Sequence, residues 1–304
     1  MKTILVPIDY SRDSQNALSF ALETARLTGA EIILFHAFFP ITSPPAAYDV
    51  ADVVLALEEG RTKDLAAFAT TTVQELIEKS ATTNLTVGYD QVSIRSVAKM
   101  GTPFKLILKA LDKYKVDLVI MGMQGGGSIS QAVLGSTTLS VMQASLVPVL
   151  AIPKGVSFTP VKSVVFAVNL NKLPAAVDLH LLREFLLVSE AKLHLLHLYR
   201  NNSQQVKFDA RPALKTITEK LEGVPYKVSF DVAEDVAAGI QQFIQEKAAD
   251  LLVLLPQKHN FIEKLLDRSV TGRITAHPLV PLLALPFGSL PPVAPAMEQE
   301  VLAG

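Results

Sequence analysis

The sequence predicts an α/β protein made of two tandem domains, each a five-stranded parallel sheet with helices on both faces. Three observations predict this. The chain has 304 residues, longer than a single hydrophobic core usually grows. Its second half repeats its first. Within each half, short apolar runs alternate with stretches of helical periodicity.

The repeat is clearest between "DLVIMGMQGGGSISQAVLGSTTLSVMQASLVPVLAIP" (Asp117 to Pro153) and "DLLVLLPQKHNFIEKLLDRSVTGRITAHPLVPLLALP" (Asp250 to Pro286). The two align without a gap at an offset of 133, from Asp117 to Asp250. Both open with Asp-Leu and an apolar run, and both close with Val-Pro-x-Leu-Ala-x-Pro. Earlier, "KTILVPID" matches "KSVVFAVN" and "EIILFHAF" matches "KLHLLHLY". A repeat this long is a whole domain, not a solenoid unit. Pro, Gly and Ser gather in "PKGVSFTPVK", which places the interdomain linker around residues 154–160. The expected domains are 1–154 and 161–287, with a disordered tail at 288–304.

In the first domain, "TILVPI" reads as a strand buried on both faces. Leu18, Ala21, Leu22 and Ala25 then recur at helical spacing, with Ser11 as N-cap and Gly29 as the stop. "EIILFHAF" is the second strand. A Pro-rich loop, "PITSPPAAY", leads into a long helical stretch to about Lys79, with Gly60 as a candidate interruption. "QVSIRSVA" is the third strand, Phe104, Leu108 and Leu111 mark a helix, and "DLVIM" is the fourth strand. A helix from about Ser136 and the strand "PVLAI" complete the domain. In the second domain the strands are expected near 163–168, 192–198, 226–232, 250–255 and 281–285.

Composition narrows the function. Charged residues make up 19% of the chain and the net charge is −1, which gives no electrostatic case for nucleic acid or an anionic membrane. There is no cysteine, so disulfides, thiol chemistry and Cys-based metal sites are excluded. No apolar run approaches the roughly 18 to 20 residues of a membrane span. The N-terminal apolar stretch stops at Asp9, too short for a signal peptide. A soluble, cytoplasmic protein is expected.

The glycine-rich stretch "GMQGGGSISQAVLGSTTLS" follows the fourth strand and ends where a helix begins. Ligands of open parallel sheets bind beyond the carboxyl ends of the strands. Helix N-termini present N–H groups to anions, and glycines let phosphate oxygens approach the main chain. The stretch is neither a Walker A loop nor a G-x-G-x-x-G motif. On these grounds alone, a phosphate cradle and a structural turn both stand open.

The spacing Gly122-x-x-Gly125, nine residues, then Gly135-Ser136 resembles the nucleotide-binding signature of the universal stress protein family. "ILVPID", "EIILFHAF", the Gly101-Thr102-Pro103 turn and "SLVPVLAIP" resemble that family too. The resemblance implies flavodoxin- or Rossmann-like domains and an ATP site in the first of them. Asp9, beside Pro7, is then expected to receive the adenine, with a main-chain contact from Ala37. Met121, Gly122 and Gly125 are expected along the ribose and phosphates. Gly135, Ser136 and Thr137 are expected at the phosphate chain, and ATP is expected with Mg²⁺.

The second half departs from this pattern. Leu255, Lys258 and Arg268 stand where the first half has Gly122, Gly125 and Gly135, and Asn169 and Ala167 replace Asp9 and Pro7. Only Ser136 persists, as Ser269. This domain is not expected to bind ATP in the same way, and Lys258 and Arg268 read as solvated charges.

Plainer readings stand beside these. From position alone Asp9 is a helix or turn cap; with the motif complete, adenine contact is favoured. His36 and His197 read as ordinary hydrogen-bonded histidines. His194 and His197, three apart on a strand, point to opposite faces and do not form a metal pair. "LEEGRTKD" reads as a solvated helix surface. No lysine, arginine or histidine stands in a motif suited to phosphoryl transfer. An ATP-binding regulatory protein with an unidentified protein partner is therefore favoured over the alternative, a slow ATPase or phosphoryl-transfer enzyme. A docking platform with incidental nucleotide is the third reading. "PVLAIP" and "PLLALP" are the expected seam of an intramolecular domain pair, with homodimerisation open.

Overall fold

In the computed structural model, residues 1–39, 50–81, 88–124, 134–201, 208–256 and 280–286 are described. The first half runs β1 (Thr3–Pro7), α1 (Arg12–Thr28), β2 (Glu31–Phe38), α2 (Val50–Ala81), β3 (Ile94–Met100), α3 (Pro103–Lys113), β4 (Leu118–Gly122), α4 (Ser136–Ala144) and β5 (Val149–Ile152). The second runs β6 (Ser163–Ala167), α5 (His180–Ser189), β7 (Lys192–Tyr199), α6 (Arg211–Lys220), β8 (Tyr226–Val232), α7 (Val236–Glu246), β9 (Leu251–Leu254) and β10 (Leu282–Ala284).

The strands form one ten-stranded sheet in the order β3-β2-β1-β4-β5-β10-β9-β6-β7-β8. Every neighbouring pair is parallel except β5 with β10, where Ala151, Leu150 and Val149 face Leu282, Leu283 and Ala284. The expected seam is therefore the seam observed. Strands β4, β6 and β9 are buried along their whole length. This is why they read as unbroken apolar runs: helices cover both faces of a parallel sheet. Two cores result, one holding Ile4, Leu18, Phe166 and Leu182, the other Leu5, Ile107, Val165 and Ile240. Each core continues across the seam.

The repeat extends to single hydrogen bonds. Asp117 Oδ2 accepts the N–H groups of Lys2 (2.5 Å) and Thr3 (3.0 Å), pinning the start of β1 to that of β4. Asp250 Oδ2 accepts those of Lys162 (2.8 Å) and Ser163 (2.9 Å) in the second half. Helix α1 starts at Ser11, whose hydroxyl accepts the Ser14 N–H, and stops at Gly29 with φ of 69°. That left-handed turn favours glycine.

Two expectations are corrected. Gly60 does not interrupt α2, which runs unbroken over 32 residues. The local penalty of about 1 kcal/mol for glycine in a helix is offset by contacts either side of it. Glu58 Oε1 accepts the Met100 N–H at 3.1 Å and Thr62 Oγ1 accepts the Ala98 N–H at 3.0 Å. Glu58 also pairs with Lys99. The "LEEGRTKD" segment is thus a clamp on the outer edge of β3 and not merely a solvated surface. That strand begins at Ile94, because Tyr89–Gln91 form a 3-10 turn.

Between β5 and β6 the chain lies against α1. The Asn16 side-chain amide donates to the Val156 carbonyl at 2.7 Å, and the Phe158 ring meets Phe20 edge-on at 5.3 Å.

Candidate functional site

The winding of the first half reverses between β1 and β4, which are parallel neighbours with Ile4 beside Leu118. Their carboxyl ends define the crevice where open α/β sheets bind ligands. Pro7 closes β1 level with Phe35 of β2. Two residues further along lie Asp9 and, on β2, the half-buried Ala37.

Asp9 is exposed. Its Oδ1 accepts both the N–H (3.0 Å) and the hydroxyl (2.5 Å) of Ser11. The carboxylate thus supports the cap of α1 without being the cap. Tyr10, between them, has φ of 62°, a conformation costly for a bulky residue. Its ring is held against His36 at 4.8 Å and Phe68 at 5.3 Å. Burial pushes the Tyr10 hydroxyl pKa up, Asp64 adds to this and Arg61 opposes it.

Met121 is buried and Gly122 ends β4. A Cβ on Gly122 would sit 3.0 Å from the main chain of Asp13. A side chain there would crowd the first turn of α1, independently of any ligand. The Thr138 hydroxyl fixes the same spot, donating to the Gly122 carbonyl at 2.9 Å.

The chain leaves the sheet at Met123, whose N–H donates to Ile152 O at 2.8 Å. It returns at Gly135, whose N–H donates to Met123 O at 2.7 Å. The glycine-rich loop is thus closed at its base, and its far end delivers the chain directly into α4. Gly125 lies outside the described residues, as do Lys258, Arg268 and Ser269.

Gly135 is the N-cap of α4, with no side-chain hydrogen bond at the cap among the described residues and no acidic residue in the first turn. Ser136 is exposed and Thr137 half-buried beside it. Helices α3, α5 and α6 also lack a side-chain cap, whereas in α1 and α7 the Ser11 and Asp235 side chains accept first-turn amides. An uncapped helix start presents N–H groups and the positive end of the helix dipole, a setting suited to an anion.

Sequence reasoning missed three residues. Thr138, one place beyond the expected hydroxyl pair, holds the end of β4. Asp13 is buried beside it, and that burial pushes its carboxyl pKa up. Lys154 opposes the shift and Asp9 adds to it. Only a helical phase counted from Ser11 and Ser136 would have pointed to Asp13 and Thr138. Lys154 had no signal beyond its place in the linker.

The second half reverses between β6 and β9. Asn169 Oδ1 accepts the Asn171 N–H at 3.1 Å, the same turn that Asp9 makes with Ser11. Leu255, at the Gly122 position, is buried in the core that holds Leu170, Val177 and Leu182. The histidines correspond as well. His36 Nδ1–H donates to Ile8 O at 2.7 Å and His197 Nδ1–H to Val168 O at 3.1 Å. Burial lowers the His197 pKa, while its ring meets Tyr199, Phe208 and Phe230. His194 faces Phe243 on the other side of the sheet. Among the described residues there is no group of three or more His, Asp or Glu placed to hold a metal. No helix among them is long and apolar enough to cross a membrane.

Residues 1–153 match the model of the universal stress protein family. A universal stress protein of Methanocaldococcus jannaschii is 27% identical over 157 residues, spanning 50% of this chain and 95% of the relative. One from a Synechocystis species is 24% identical over 152 residues, spanning 50% of this chain and 85% of the relative. Similarity of fold extends further. A universal stress protein from Archaeoglobus fulgidus superposes with a TM-score of 0.64 at 16% identity, over 94% of this chain and 98% of that one. A Pseudomonas aeruginosa protein described as a putative universal stress protein gives 0.55 at 15% identity, over 94% and 93%. Sequence likeness to the curated relatives thus spans half the chain, while likeness of fold spans both halves.

Proposed function

Since the chain belongs to the universal stress protein family, we propose that it is a regulatory protein that holds ATP in its N-terminal half. The C-terminal half serves pairing or docking. The observation that carries this reading is the uncapped start of α4, delivered to the mouth of the β1/β4 crevice by the Gly135–Met123 hydrogen bond. In this arrangement Asp9 and the Ala37 main chain meet the adenine. Asp9 Oδ1 also accepts the Ser11 N–H, which fixes the carboxylate at the mouth of the crevice. Met121, Gly122 and Gly125 follow the ribose and phosphates. Gly135, Ser136 and Thr137 receive the phosphate chain, with Mg²⁺ held mainly by phosphate oxygens and water.

The same residues argue for binding over hydrolysis. Asp9 belongs to the adenine end of the crevice. Phosphoryl transfer needs a positioned nucleophile and charge stabilisation at the γ-phosphate. A cytoplasmic location and a functional division into 1–154 and 161–287 are part of this proposal.

The test is to denature purified full-length protein, after soaking with ATP and Mg²⁺, and quantify the nucleotide released. About one ATP per chain is expected, since the glycine spacing of the first half is replaced in the second by Leu255, Lys258 and Arg268. Gly135→Arg should abolish it while circular dichroism stays unchanged. Two per chain would refute the assignment to the first half alone, and none would refute nucleotide binding.

A further inference from the structure

The ten-stranded sheet ends at β3 on one side and at β8 on the other, and the two edges are finished differently. On β3 the outward N–H groups of Ala98 and Met100 are taken by Thr62 and Glu58 of α2. Ala98 lies beside His36 in the ladder and Met100 beside Phe38. The matching positions on β8 are Phe230 beside His197 and Val232 beside Tyr199. Among the described residues the Val232 N–H goes to the neighbouring Asp231 carboxylate, at 2.8 Å. Among the described residues no side chain accepts the N–H of Val228 or Phe230. Phe230 is 40% and Val232 39% exposed. An open strand edge with exposed apolar residues is a template for another strand.

The sequence of β8, "YKVSFDV", says which strand fits. Placed antiparallel to a second copy of itself and centred on Ser229, all seven residues pair. Tyr226 then faces Val232, Val228 faces Phe230, and Lys227 faces Asp231, twice by symmetry. The outward groups lie on the even-numbered residues, as Ala98 and Met100 show for β3. This register brings even residues opposite even residues, as the hydrogen-bonded pairs of an antiparallel ladder require. Lys227 and Asp231, both exposed, fall in the non-hydrogen-bonded pairs, where side chains approach most closely.

We propose that β8 is the self-association edge of this protein: two chains pair β8 to β8 in antiparallel register about Ser229, held in register by reciprocal Lys227–Asp231 contacts. The result is one continuous sheet across the dimer, with a two-fold axis at its centre. Its two free ends are both β3, already closed by Glu58 and Thr62, so assembly stops at two. The interface is small, which puts the dissociation constant on the order of micromolar.

Sedimentation equilibrium of the full chain tests this, with Lys227→Glu, Asp231→Lys and the double reversal. Each single reversal opposes like charges at two symmetric sites and is expected to weaken dimerisation about tenfold or more. The double reversal restores the opposite-charge pairs and should recover the wild-type constant, which also shows that neither residue is needed for folding. A chain that stays monomeric to about 1 mM would overturn the proposal. So would a dimer indifferent to both single reversals, or single reversals that the double fails to rescue.

Discussion

The two halves share a sheet and differ in what covers it. Strand pairing relates β2 to β7 by 161 residues, from Ile32 to Leu193, but β3 to β8 by 132, from Ile94 to Tyr226. The missing segment falls between those strands, where α2 has 32 residues and α6 only 10. The first helix differs too. Arg12 opens α1, whereas its counterpart Lys172 lies in a 3-10 turn, and α5 begins only at His180. The Gly122 and Leu255 pair follows from this. Where α1 comes in early, its Asp13 backbone needs the space of a side chain; where α5 starts late, a leucine fills that space. Glycine and leucine at this position each answer to where the neighbouring helix begins.

Exchanging these two residues is the strongest way to break the comparison. Gly122→Leu should cost about 3 kcal/mol or more, since the Asp13 main chain cannot give way as a flexible side chain would. Leu255→Gly should cost about 3–4 kcal/mol, for a buried side chain removed. Urea unfolding, with hydrogen exchange localised to each half, measures both. If Gly122→Leu is neutral, the glycine is not there for the helix.

A smaller effect tests where the halves agree. Asp117→Ala and Asp250→Ala each free two strand-start amides, and each should cost about 2 kcal/mol. The two losses should match within about 0.5 kcal/mol; a clear inequality in unfolding midpoints would show that the repeat is geometric but not energetic.

The smallest effect concerns the turn after the first helix of each half. Gly29 and Glu190 both lie two residues before a strand, at φ of 69° and 53°. A Cβ on Gly29 meets nothing within 4 Å, so only backbone conformation is at stake. Gly29→Ala should destabilise by about 1 kcal/mol and Glu190→Gly should stabilise by about as much. Thermal melts of the two variants that moved in the same direction would contradict this.

Much of the fold was legible because its signals are local. "ILVPI" and "LVIM" are apolar throughout since helices cover both their faces, and Ser11 and Gly29 mark α1 by cap chemistry alone. The continuity of α2 through Gly60 was not legible, because Glu58 and Thr62 act on a strand more than thirty residues away. The site was legible in part. The motif spacing located Gly122 and Gly135, and the structure sets both at one crevice. It did not reveal that Gly122 answers first to Asp13, since close approach by a helix and by a phosphate leave the same glycine. Nor did it reveal that the Asp9 turn survives as Asn169: amide and carboxylate oxygens accept a backbone N–H alike.

The ladder between β5 and β10 spans three residue pairs. Two separate chains would have to meet the association entropy from this ladder and the core packing beside it. Here the connection from β5 to β6, docked on α1 through Asn16 and Phe20, holds the partner strand at a high effective concentration. For short tethers that is on the order of millimolar. The linkage therefore adds to what the ladder and the cores that cross the seam supply. Covalent fusion of the two halves relieves their contact of the need for affinity, and leaves the sequence on either side free to answer to local packing.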